Sequence, residues 1–167
     1  YWYIAECVRD SAGGWVRAPQ GFGGLPAMSD MFEQTMNTMG CLLAFFGPFV
    51  FYMLTARQAN VIFWLLLIFA VLFFPMGLLS VVMHDSARGL SPGLLINSIR
   101  KTFWPYLGLI LILVIPLILI GLIAIEVSDS LIAGFIFSAV IIYMALIGAH
   151  LLGRFYWRYQ DKLDWEV

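Results

Sequence analysis

Four long apolar runs constrain this chain more than any other feature. They cover residues 36–55 (MNTMGCLLAFFGPFVFYMLT), 59–83 (ANVIFWLLLIFAVLFFPMGLLSVVM), 103–125 (FWPYLGLILILVIPLILIGLIAI) and 131–153 (LIAGFIFSAVIIYMALIGAHLLG). A bilayer's hydrocarbon core is about 30 Å thick, and about 20 apolar residues cross it as a helix. Each run meets that length. Lipid offers no partner to a bare peptide group, so a spanning segment must close its own hydrogen bonds. The runs lack the apolar/polar alternation of barrel strands, which leaves the α-helix. Composition agrees: 62% of residues are hydrophobic and 11% charged. A soluble fold of this size needs a far more polar exterior. The net charge of −1 gives no electrostatic case for nucleic acid.

Loop lengths and charge then set the topology. The breaks at 56–58 and 126–130 are short enough to force antiparallel hairpins, while 84–102 is long enough to cross a bundle end. With four spans, Arg9, Arg17, Arg88, Arg100, Lys101, Arg154, Arg158 and Lys162 all fall on one side and Arg57 alone on the other. Basic residues near span ends mark the cytoplasmic face. Both ends of the chain are therefore expected on the cytoplasmic side of a bacterial inner membrane. Trp104 and Tyr106 at the start of the third span are expected as headgroup-level anchors, as are Arg154, Trp157 and Arg158 after the fourth.

The sequence also repeats itself. Asp10-Ser11-Ala12 with Gly14 is echoed by Asp85-Ser86-Ala87 with Gly89. Each copy is followed by a Gly/Pro loop, a short amphipathic stretch and a span with a proline about midway. Residues 28–35 and 91–101 are the expected interfacial helices; Asp30 with Glu33 suggests a capping box, and Ser91-Pro92 an N-cap with proline at N1. Because Asp85 directly follows a span, the repeat predicts that residues 1 to about 9 are helical and end a further span before them. The fold class expected is an all-α polytopic transmembrane bundle, one domain over 1–167, with four complete spans, cytoplasmic interfacial helices and an internal duplication. This unit resembles a broad group of uncharacterised bacterial multi-pass membrane proteins with Yip-like organisation. The resemblance rests on the two Asp-Ser-Ala turns and on proline-bearing spans (Pro48, Pro75, Pro116), and it implies no activity.

Candidate chemistry is sparse. His84 caps the second span beside Asp85, and His150 lies about one turn inside the fourth. Two histidines in one leaflet can ligate a haem or metal, but histidine at a helix C-terminus also meets unpaired carbonyls favourably. Cys7 and Cys41 lie in no CxxC pair and near no histidine. Glu126 and Asp129 suit a solvated outer turn. Asp10 and Asp85 are expected as turn caps. Pro48, Pro75 and Pro116 bend their spans, and Gly47, Gly77, Gly108, Gly121, Gly134 and Gly148 suit close helix contact.

No catalytic, cofactor or metal site is expected from this inventory. The leading expectation is a membrane scaffold or accessory subunit, not an enzyme, whose partners are the lipid bilayer and other membrane subunits or itself, with no nucleic acid. The alternative is a transporter or channel for an apolar or amphiphilic substrate, using the proline-kinked spans. The third is a haem or metal-binding redox subunit built on His84 and His150.

Overall fold

A computed structural model describes residues 2–15, 28–126, 131–163 and 165. Every regular element among them is helical. In chain order these are α1 (Trp2–Ala12), α2 (Met28–Ala56), α3 (Val61–His84), a 3₁₀ turn (Ala87–Leu90), α4 (Pro92–Lys101), α5 (Phe103–Glu126) and α6 (Leu131–Leu163). Four of them, α2, α3, α5 and α6, are long and apolar enough to cross a membrane. The chain is a multi-pass helical membrane protein.

The two amphipathic stretches fold differently. Residues 28–35 are no separate interfacial helix; they run without a break into the span, so α2 is a single helix of 29 residues. The second stretch does stand apart as α4. Proline placement explains the contrast. Pro105 has no N–H to offer and its ring clashes with the carbonyl four residues back, so a helix cannot pass smoothly through 101–105. The chain breaks at Thr102, whose N–H and Oγ1 both bond the Ser98 carbonyl, at 3.1 and 2.8 Å. Residues 28–47 hold no proline to force a break.

The Asp-Ser-Ala turns also diverge. Residues 2–12 form α1, as the repeat predicts for that stretch. Helix α1 passes through Ser11 and Ala12, and Gly14 then takes a left-handed φ of +85°. Helix α3 stops at His84, and Asp85 itself is left-handed at φ 49°. Gly89 needs no unusual φ; it lies so close to Ser80 that a Cβ would sit 2.7 Å from its carbonyl oxygen.

Helix α3 is the centre of the bundle. It touches α1, α2, α4, α5 and α6, whereas α2 touches only α1, α3 and the 3₁₀ turn among the described residues. The α2–α3 seam is aromatic: Phe45 packs on Phe69 and Phe73, Phe46 meets Phe74 edge-on at 5.2 Å, and Phe49 meets Phe63 at 5.0 Å. On the other side α1 lies along α6. They approach closely at Gly153, where any Cβ would run into Ser11 and the Val8 carbonyl. Of the glycines expected at contacts, Gly77 abuts the Phe45 ring and Gly148 meets Leu113. Gly47, Gly108, Gly121 and Gly134 face open space instead.

The core is one-sided. Buried apolar residues gather at the end where the basic residues lie: Ala5 and Val8 of α1, Met76–Val82 of α3, Tyr106–Ile110 of α5 and Ala149–Tyr156 of α6. Toward the Arg57 end the spans bare their side chains. Leu111, Ile112, Ile115, Leu117, Ile118, Leu119, Leu122 and Ile123 of α5 are all exposed.

Candidate functional site

Polar groups concentrate at the basic end and pin the helix termini to one another. Arg9 of α1 is the hub. Its Nη2 reaches Asp85 Oδ1 at 2.7 Å and its Nη1 lies 3.6 Å from Glu6. The Gln34 amide, with its oxygen turned toward Arg9, accepts from Nη1 at 2.9 Å and Nη2 at 2.7 Å. Three helices thus meet on one guanidinium, whose planar fork suits several acceptors at once. Gln34 is buried while Asp85 is 69% exposed. Arg9 therefore matters more as Gln34's partner than as half of a solvated ion pair.

Of the two aspartates expected as turn caps, Asp85 is the C-cap of α3 and Asp10 lies within α1. Asp85 ends α3 through its left-handed backbone, and its carboxylate goes to Arg9. Asp10 contributes its backbone carbonyl, which accepts from the Trp15 N–H at 3.1 Å.

The two histidines occupy separate neighbourhoods. His150 and Ser11 share a 2.7 Å hydrogen bond across the α1–α6 seam. His84 Nδ1 donates to the Ser80 carbonyl at 2.9 Å. A carbonyl can only accept, so the Nδ1 proton is fixed and Nε2 is left with the lone pair in the neutral ring. The His84 ring packs 5.4 Å from Trp165, whose Nε1 donates to the buried Ser98 Oγ at 2.9 Å. His84, Leu94, Asn97, Ser98, Lys101, Leu163 and Trp165 line a pocket of about 420 Å³ beneath α4. Among the described residues no three His, Cys, Asp or Glu side chains gather as a metal site would require. Cys41 is buried and Cys7 half-buried, and both are free thiols.

Tyr106 departs most from expectation. It is no headgroup anchor: it is 1% exposed and points into the bundle. Its hydroxyl donates to the Leu72 carbonyl at 2.6 Å and accepts from the Met76 N–H at 3.2 Å. Those two groups would bond each other in an unbroken helix. The tyrosine oxygen is inserted into the ladder of α3 beside Pro75, one of the recognised causes of a helix kink. The other residues expected as anchors, Trp104, Arg154, Trp157 and Arg158, are exposed or partly exposed. Trp104 is 79% exposed, Trp157 and Arg158 are exposed, and the Arg154 guanidinium sits 5.1 Å over the Trp157 ring. Phe155 and Tyr156 of the same run are turned into the core.

The three span prolines do not converge. Pro48 is exposed, Pro75 is buried and Pro116 is half-buried; among the described residues the helices bearing Pro48 and Pro116 make no mutual contact. Glu126 lies at the end of α5, and Asp129 falls outside the described residues, as do Arg17 and the glycine-rich loop around 21–26.

No protein-family model, no curated protein and no solved structure matches the chain.

Proposed function

We propose that this protein is an integral membrane scaffold or accessory subunit with no catalytic activity of its own, as the leading sequence expectation had it. The observation that carries the reading is the one-sided core. One half of the bundle is knit together by buried residues and polar links. The other half presents bare apolar helices, and α5 is exposed on most of its circumference there. A wide apolar surface is ordinary against lipid. A span with so little protein contact over half its length also suits helix–helix packing with another membrane subunit or a second copy of this chain. The transporter alternative draws less support, since the helices bearing Pro48 and Pro116 make no mutual contact among the described residues and the gap in the α3 ladder beside Pro75 is filled by the Tyr106 hydroxyl.

Photo-crosslinking in the native membrane tests this. A benzophenone amino acid at Leu119, on the bare half of α5, is expected to give protein adducts. Adduct mass distinguishes a second copy from a different subunit. The same probe at Ile96, an exposed residue on α4, sets the background. Lipid adducts alone at Leu119 and at Ile123 would remove the proposal.

A further inference from the structure

A second opening flanks α4 on its membrane side. Phe73 of α3, Ile96, Ile99 and Arg100 of α4 and Phe103 of α5 enclose a groove of about 250 Å³. Its walls are aliphatic and aromatic, with one guanidinium at the edge. Phe73 lies eleven residues before the end of α3, or about 16 Å of helix axis. The groove therefore joins the level of the interfacial helix to a point well inside the span. Trp104, 79% exposed and edge-on to Phe103, marks the interfacial level beside it. No ion pair or hydrogen bond reaches the Arg100 side chain among the described residues. An unpaired cation above an apolar slot fits an occupant with an anionic head and a hydrocarbon tail.

We propose that this groove is a binding site for one anionic glycerophospholipid. An acyl chain lies along Phe73, Ile96, Ile99 and Phe103, and Arg100 meets the phosphate. Free phosphate does not satisfy the apolar walls, and a zwitterionic lipid places a choline or ethanolamine cation near the guanidinium. Basic pockets between membrane helices are known to take anionic headgroups on physical grounds of charge and depth. Arginine matches phosphate with two parallel N–H bonds, which a lone surface charge does not. The site faces away from the His84 pocket and uses none of the residues of the Arg9 hub.

Native mass spectrometry of the full chain in detergent tests the assignment, with dioleoyl-phosphatidylglycerol and dioleoyl-phosphatidylcholine as probes. The wild type is expected to retain the phosphatidylglycerol preferentially. Arg100→Gln should lower that preference about fivefold, the worth of one interfacial cation. Arg158→Gln, which removes an exposed charge at the same end, should leave it unchanged. Ile96→Trp narrows the groove without touching the core and should reduce retention of both lipids. Equal retention of the two lipids by the wild type overturns the proposal. So does a preference that survives Arg100→Gln, or one that Arg158→Gln lowers as much. Circular dichroism of each variant checks that the helices persist, and added inorganic phosphate is expected not to displace the lipid.

Discussion

Replacing Tyr106 by phenylalanine removes one oxygen atom from the centre of the bundle and leaves the ring in place. That oxygen joins the Leu72 carbonyl to the Met76 N–H beside Pro75, in a region where Tyr106 and Met76 are almost fully buried. Side-chain hydrogen bonds inside membrane proteins contribute ~0.6 kcal/mol each on average, so the two lost bonds set a floor of ~1.2 kcal/mol. The ceiling comes from leaving both backbone groups unpaired in a dry interior, at ~1–3 kcal/mol each. Recovery would need α3 to tighten until Met76 N–H meets Leu72 directly. The proline ring opposes that, because straightening drives it against the Val71 carbonyl. We expect a loss of ~2–3 kcal/mol, between those bounds. The measurement is unfolding of the full chain by SDS titration in mixed micelles, followed by circular dichroism. Hydrogen exchange at the Met76 amide should accelerate in the variant. Pro75→Ala provides the internal control: with the ladder free to close, Tyr106→Phe should become nearly neutral, a coupling of ~1–3 kcal/mol in the double-mutant cycle. A Tyr106→Phe protein within ~0.5 kcal/mol of wild type, with unchanged Met76 exchange, would refute the reasoning.

Gly153→Ala places a methyl group against the α1 backbone, which cannot rotate away as a side chain would, and should cost ~1–3 kcal/mol; faster trypsin cleavage at Arg9 would report α1 lifting from α6. Arg9→Met should destabilise more than Asp85→Asn, because it strands the buried Gln34 amide (~1–3 kcal/mol) while the exposed ion pair is worth ~0.2–1 kcal/mol. The Asp85→Asn effect should fade in high salt while most of the Arg9→Met effect persists, so equal effects from the two variants would contradict the hub. Ser11→Ala removes the partner of His150 Nδ1 and should cost ~1 kcal/mol; the loss should vanish in a His150→Phe background, as the same unfolding titration will show.

Much of the architecture was legible in the sequence because it depends on totals. Twenty apolar residues in a row specify a spanning helix whatever their order, and eight of nine basic residues on one side mark a shared end. The site was less legible because it depends on direction. Tyr106 and Trp104 are two residues apart at one helix start, and composition alone makes both of them interfacial. One is buried and the other bare because about 100° of helical rotation separates successive residues, and only packing sets which angle faces α3. Gly153 ends an apolar run, and nothing in the sequence marks the α1 backbone that a Cβ there would meet. The fused α2 and the broken α4–α5 differ through Pro105, a signal present in the sequence but outweighed by the apparent repeat. The Arg9–Gln34 link joins residues from separate helices, and no spacing rule connects them.

The pairing of α1 with α6 also has a consequence in time. Ser11 and His150 stand 139 residues apart in sequence and touch in the finished bundle. At synthesis rates of ~5–20 residues per second, α1 waits roughly 7–30 s for its partner to be made. Throughout that interval the face carrying Ala5, Val8, Ser11 and Ala12 is uncovered while the α2–α3 hairpin is already able to zip locally. Among the described helices, closure of the α1–α6 seam thus follows formation of the α2–α3 hairpin. A chain interrupted before Gly153 emerges leaves that face of α1 without its α6 partner.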